Sequence, residues 1–295
     1  MTTAVTSDHE VPMFLRSAGN DIFAIHTRAV DDRRRGEGIV LLQGGNWVTS
    51  IGRNRMWVDM ARELAADGYD VIRFDYRGVG ESGGTTKLYR LDSPFVDDVA
   101  AAAGALRAAG CERLVLVGTC FGARAALAAA RIEGVAAVAL FSTPIFDREM
   151  ERLATRSVGT LARRKLRIRS LRSLVDPKRW SLLTRIVKKK ARQAVRRVRG
   201  GSGAPTDDVD VSPQFLKQIQ AAVDGGVRVL LAYGNADEYW RDFVRTREGR
   251  LGRILDRAGP QVEVREMPGF LHGLHTAAAQ DAVLAELARW SVSAS

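Results

Sequence analysis

Short apolar runs alternate along this chain with segments of helical periodicity, and that alternation restricts the fold more than any other feature. Residues 38–45 (GIVLLQGG) form a continuous apolar run, the pattern of a strand buried on both faces. Residues 71–76, 113–120, 135–144, 227–234 and 262–269 read as further strands. Between them, 55–70, 93–110, 121–132, 213–224, 238–259 and 277–291 read as helices, with Gly68 as a stop and Ser93 as an N-cap. Ahead of this series, 12–19 and 21–30 read as an antiparallel hairpin with Gly19 and Asn20 at the turn. The fold class this implies is α/β, a mostly parallel twisted sheet with helices on both faces. In such sheets ligands sit beyond the carboxyl ends of the strands, so the residues just after each strand are the informative ones.

The chain has 295 residues and a net charge of +11, unevenly spread. Residues 148–199 hold 19 Lys and Arg against three acids, a net of +16, so the remainder is −5. The expected division is a core of 1–145 and 212–295 with a basic helical cap over 146–211. Within the cap, Leu183, Val187, Ala191, Ala194 and Val198 recur at helical spacing as one apolar stripe. No apolar run approaches the roughly 18 residues of a membrane span. The N-terminus lacks a secretory pattern, and two cysteines do not make a disulfide framework. A cytoplasmic protein with reduced thiols is expected.

Chemistry concentrates at Gly118-Thr119-Cys120-Phe121-Gly122, where a strand ends and a helix begins. This is a G-x-nucleophile-x-G turn with cysteine in the central place. The helix N-terminus behind it favours a thiolate. Alone, such a pentapeptide is equally a buried cysteine in a tight turn. A nucleophile, however, needs a base, and the base an orienting acid. Of the four histidines, His272 and His275 follow the last strand, and Asp237 follows the one before. The order Cys120, Asp237, His272 is nucleophile, acid, base, as in this elbow class. Gly78 to Gly83 fits G-x-G-x-x-G but runs on into a loop rather than a helix, so it reads as a structural turn around Arg77 and not a dinucleotide site. No zinc, EF-hand or Walker spacing is present; no cofactor and no metal are expected.

QGG at 43–45, DYRGVGES at 75–82, GTCFG at 118–122, GNAD at 234–237 and PGFLHG at 268–273 together resemble the α/β-hydrolase superfamily over nearly the whole chain. Residues 44–82 also resemble hydrolases associated with bacterial exopolysaccharide export, some with cysteine at the elbow. The resemblance implies an α/β-hydrolase fold with Cys120 as nucleophile, Asp237 as acid and His272 as base. His275 is the alternate base, and Glu238 and Asp147 the alternate acids. It also implies an oxyanion hole from the N–H of Phe121 and one from the loop at Gly45, with Asn46 as alternate donor. Where family members often have His-Gly, this chain has Gln43-Gly44.

A cysteine nucleophile implies a thioester intermediate. The implied activity is a thioesterase or esterase acting on a small-molecule acyl substrate. An acyltransferase, or a condensing or cyclising enzyme, passing the group to an amine or alcohol is the alternative; a catalytically idle binding protein is a third. For Lys188, Lys189, Lys190, Arg196 and Arg197 the alternatives are a solvated helix face, docking of an acidic acyl carrier protein or anionic substrate, and peripheral contact with an anionic membrane. Nucleic acid is not an expected partner, because the segment lacks interleaved aromatics.

Overall fold

The computed structural model describes residues 9–45, 48–85, 91, 94–147 and 211–292. These contain strands β1 (Glu10–Ser17), β2 (Asn20–Thr27), β3 (Glu37–Leu42), β4 (Asp70–Phe74), β5 (Arg113–Thr119), β6 (Val135–Phe141), β7 (Arg228–Gly234) and β8 (Val262–Met267). The helices are α1 (Met56–Ala66), α2 (Val96–Ala108), α3 (Phe121–Ala128), α4 (Pro213–Asp224), α5 (Glu238–Arg245), α6 (Arg250–Ala258) and α7 (Ala277–Val292). The expected cap helix, its apolar stripe, Asn46 and Ser93 lie outside the described residues.

One eight-stranded sheet runs in the order β1-β2-β4-β3-β5-β6-β7-β8. The β1–β2 and β2–β4 pairs are antiparallel and the others parallel. Central strands are apolar because both faces are covered: every residue of β4 is buried. The edges differ. β1 alternates between exposed and half-buried residues, and β8 is only partly covered, which is why their sequences carry interleaved polar residues. On one face, Ile39, Leu41, Val117, Ala139 and Leu230 pack with Met60 and Leu64 of α1 and Val283, Leu287 and Trp290 of α7. Val40, Leu116, Val138 and Leu231, one residue along and pointing the other way, are equally buried. The chain after β3 goes first to β4 on one side and then to β5 on the other. The topological switch point therefore lies between the ends of β3 and β5, where Leu42 pairs with Gly118.

Three local expectations differ from the structure. The hairpin turn is Ala18-Gly19, both at positive φ (45° and 83°), and Asn20 already pairs with Ser17. A two-residue turn with φ positive at both positions matches the twist of the flanking strands, and Asn20 supports it by donating from Nδ2 to the Ala18 carbonyl at 3.1 Å. The helix expected over 238–259 is two helices, broken between Arg245 and Arg250. Thr246 Oγ1 donates to the Phe243 carbonyl at 2.8 Å at the end of the first, and a Cβ at Gly252 would come within 1.6 Å of the Arg247 carbonyl oxygen, so the second packs tightly against the turn. Helix α2 starts at Val96 behind Phe95 without a side-chain cap.

The DYRGVGES segment is a structural lock. Asp75 accepts from the Ser50 N–H (2.6 Å) and Glu81 N–H (3.3 Å), and Ser82 Oγ donates to the Asp75 carbonyl (2.7 Å). Arg77 pairs with the fully buried Asp98 at 2.6 Å. No helix begins within Gly78–Gly83; instead the loop closes on itself, Gly78 N–H to Gly83 carbonyl at 2.9 Å. Among the described residues, no helix is long and apolar enough to cross a membrane.

Candidate active site

The end of β5 and the start of α3 approach so closely that side chains would not fit. A Cβ on Gly118 would lie 2.4 Å from the Gly122 carbonyl, and one on Gly122 would lie 2.2 Å from the carbonyl oxygen of Leu42, at the end of β3. Glycine is required at both places by backbone proximity. The residue between them, Cys120, is left at φ 49° and ψ −112°, outside the regions a side chain ordinarily occupies. Its N–H donates to the Phe141 carbonyl at 3.0 Å, and its carbonyl accepts from Arg124 N–H at 3.3 Å. This strained, anchored turn presents Cys120 half-buried at the carboxyl edge of the sheet.

The loop after β3 reaches the same point. A Cβ on Gly44 would fall 2.9 Å from Thr119 Oγ1 and 3.3 Å from Cys120 Cβ. Gln43 is buried and donates from Nε2 to the Phe74 carbonyl at 2.7 Å, which ties the loop to β4. Gly45 is buried beside it. Phe121 opens α3 directly after Cys120, its ring edge-on to Tyr76 and Phe95. The start of α3 and the loop after β3, at Gly44, thus both border Cys120.

Asp237 is fully buried at the N-cap of α5, yet its side chain does not cap that helix. Instead Oδ1 accepts from the N–H groups of Leu271 and His272, each at 3.0 Å. Oδ2 accepts from Ser142 Oγ at 2.8 Å and Gly234 N–H at 3.2 Å. A buried carboxylate is tolerable only with its lone pairs occupied, and four donors do so here. Asp237 thereby fixes the backbone that carries His272 rather than bonding to its ring.

The hydrogen-bonding contact of the His272 ring is with Tyr239: Nε2 lies 3.4 Å from the Tyr239 hydroxyl. The same hydroxyl lies 3.9 Å from Cys120 Sγ. Burial holds the His272 imidazole below the usual histidine range, and His275 adds to this; Asp237 and Glu238 pull the other way without reversing it. The ring is therefore neutral at pH 7 and can accept a proton.

Of the alternates, His275 is exposed, with Nδ1 2.9 Å from Arg53 Nη1, and its ring stacks near Phe270. Glu238 is exposed. Asp147 pairs with Arg124 at 3.2 Å. Asn46 and the basic residues Lys188, Lys189, Lys190, Arg196 and Arg197 lie outside the described residues. Ser142 and Tyr239 escaped the sequence reading. Ser142 directly follows β6, where site residues are expected, but no motif marks it. Tyr239 sits two residues beyond Asp237 and reads as part of a helix stripe with Phe243. No group of described residues is arranged to hold a metal ion.

Residues 39–287 match the alpha/beta hydrolase family, and the chain belongs to it. The Pyrococcus furiosus esterase Pf2001 superimposes with a TM-score of 0.58 at 16% identity, over 98% of each chain. Proline iminopeptidase from Mycobacterium smegmatis does so at 0.53 and 17%, over 97% of this chain and 100% of its own. Mouse alpha/beta hydrolase domain-containing protein 10 gives 0.54 and 18%, over 97% and 100%. At these identities the likeness is one of fold. Comparison with curated proteins gives no match.

Proposed function

We propose that the protein is an acyl-transfer enzyme that works through a covalent S-acyl-Cys120 intermediate and hydrolyses an ester or a carrier-bound thioester. The observation that carries this reading is the strained Cys120 at the switch point, bordered by Phe121 and the Gly44–Gly45 loop, with a neutral His272 on the facing loop. The thiolate attacks the acyl carbonyl, backbone N–H groups of Phe121 and the Gly45 loop hold the oxyanion, and His272 returns the proton to the leaving group. Water, activated by the same imidazole, then releases the acid. Asp237 serves by holding the His272 backbone in place.

Mass spectrometry of the intact protein mixed with acyl thioesters tests the reading. A stoichiometric acyl adduct on Cys120, absent in Cys120→Ala and decaying in buffer, is expected. An amine or alcohol that accelerates the decay beyond water would make the enzyme an acyltransferase, and a Cys120 inert to both acyl donors and alkylating agents would leave a binding protein. The cysteine also requires a reducing compartment such as the cytoplasm to stay competent.

The basic segment belongs to the same proposal. Lys188, Lys189, Lys190, Arg196 and Arg197 supply the positive charge that an acidic acyl carrier protein would meet. Binding that weakens with salt and is lost in K188E/K189E/K190E supports docking; binding unchanged by either sinks it. The resemblance of 44–82 to hydrolases of exopolysaccharide export supports a bacterial biosynthetic setting and names no substrate.

A further inference from the structure

We infer that the Tyr239 hydroxyl is the proton relay between Cys120 and His272. The inference rests on the acyl-Cys120 reading for its chemistry, but its geometry is independent of it. In the arrangement the sequence suggests, the imidazole takes the thiol proton directly. In this structure the hydroxyl of Tyr239 contacts both groups, 3.9 Å from Sγ and 3.4 Å from Nε2. A sulfur contact at 3.9 Å and a nitrogen contact at 3.4 Å are long for resting hydrogen bonds, as is common before substrate tightens a site.

Tyr239 is held where it is. It is buried, on the first turn of α5, and shares its inward face with Phe243 one turn later. Its ring meets the His272 ring edge-on, with centroids 4.6 Å apart and planes at 67°. The helix begins directly after Asp237, whose carboxylate grips the backbone of Leu271 and His272. One short segment, Asp237 to Tyr239, therefore sets both the loop that carries the base and the hydroxyl that reaches it. A phenol both donates and accepts, which a relay demands.

The step balances without any added reagent. The Sγ–H proton passes to Tyr239 Oη as the Oη–H proton passes to His272 Nε2. The products are a thiolate, an unchanged phenol and an imidazolium. The thiolate forms a bond to the acyl carbon, the bond from that carbon to the leaving group breaks, and the imidazolium returns its proton through the same hydroxyl to the leaving atom. Charged and titratable groups facing His272 are Asp237, Glu238 and His275. None of these lies between the ring and the thiol in the hydrogen-bonding pattern.

The test uses full-length protein and the conservative Tyr239→Phe, which keeps the ring. The midpoint of iodoacetamide alkylation of Cys120 against pH should rise in Tyr239→Phe, and in His272→Ala. This readout does not depend on any acyl substrate. With p-nitrophenyl acetate as acyl donor, Tyr239→Phe should slow Cys120 acylation at pH 7 by about 100-fold. The double variant Tyr239→Phe/His272→Ala should be no slower than the slower single, since two groups in one relay are non-additive. In the unaltered protein, acylation rates in mixed light and heavy water should curve with deuterium fraction, as two protons in flight require. That measurement stands even if a variant misfolds. An unchanged alkylation midpoint, single losses that multiply in the double variant, or a linear isotope plot would each overturn the relay. A protein that alkylates with the expected midpoint shift but never acylates would retain the relay and refute the proposed function.

Discussion

Cys120 is held at positive φ with a side chain attached, a conformation that costs on the order of 1–3 kcal/mol and persists because Gly118 and Gly122 let three backbone segments close around it. The chain's other cysteine has the opposite setting. Cys111 is buried, and burial, reinforced by the Asp70 carboxylate, pushes its thiol up to about 11. At pH 8 it is a thiol, and the reactive species is the thiolate. Peptide mapping after brief native alkylation at pH 8 should find Cys120 labelled and Cys111 not, with Cys111 becoming reactive only in denaturant; equal labelling of both contradicts this. His272 supplies a pH prediction. Its folded pKa lies below 6.5, so between that value and 6.5 the unfolded chain binds more protons than the native protein, and stability falls as pH falls through this window. The loss amounts to about 1.4 kcal/mol per unit of depression. Acylation should have its acid limb below 6.5 for the same reason. The change in Tm between pH 7.5 and 5.5 should be smaller in His272→Gln; an equal change in both proteins would assign the acid sensitivity elsewhere.

At the scale of elements, the loop after β4 is fastened to the hairpin and to α2 by Arg77, which pairs with Asp98, reaches Ser17 and lies over the Phe95 ring at 5.3 Å. Asp98 has no exposed surface. Arg77→Ala would leave that carboxylate buried without its cation, with only the Ser17 hydroxyl and the backbone N–H of residue 77 still donating to it. The expected loss is about 3–5 kcal/mol, or roughly 6–20 °C in Tm for a domain of this size, while Asp98→Asn/Arg77→Met should recover part of it. A Tm within 2 °C of the parent for Arg77→Ala would contradict the assignment (about 1 kcal/mol or less). Gly122→Ala tests the elbow: its methyl would meet the end of β3 at 2.2 Å. Overpacking of this kind costs roughly 1–3 kcal/mol or more and displaces Cys120, so soluble protein should lose alkylation selectivity for Cys120.

At the scale of the whole molecule, the chain divides into two units, residues 1–147 with 208–295, and residues 148–207. Where the first is interrupted, its two ends are joined. Ser212 N–H donates to the Ile145 carbonyl at 2.8 Å. Arg124, fully buried on α3, donates to the Pro144 carbonyl (3.1 Å), Ser212 Oγ (3.1 Å) and Asp147 (3.2 Å). One guanidinium on α3 thus ties together the residues on either side of the interruption. Replacing 148–207 with a short Gly-Ser linker should leave a folded core with a Tm close to the parent's by calorimetry, and with Cys120 still preferentially alkylated. A core that fails to fold cooperatively would show that the insertion contributes to the main unit. The excised segment holds 19 Lys and Arg against four acids, a net of +15, so the core should also lose retention on a cation exchanger.

Much of this protein is determined by local chemistry that the sequence displays. The apolar runs announce a covered parallel sheet, because only such strands can dispense with a polar face. The glycines two places either side of Cys120 announce a turn too tight for side chains. The break at Arg245–Arg250 and the placement of the hairpin turn at Ala18-Gly19 were less legible, since a helix-spaced stripe continues across a turn and neighbouring residues compete for one corner. What only the tertiary structure decided is how Asp237 and His272 are held. Asp237 is drawn by burial to four donors from three segments, so it holds the backbone of His272 and not its ring. Ser142 and Tyr239 enter the site for the same reason, because the sheet brings together the ends of β6, β7 and β8. Such convergence depends on strand order across the whole sheet, and no spacing within one segment encodes it.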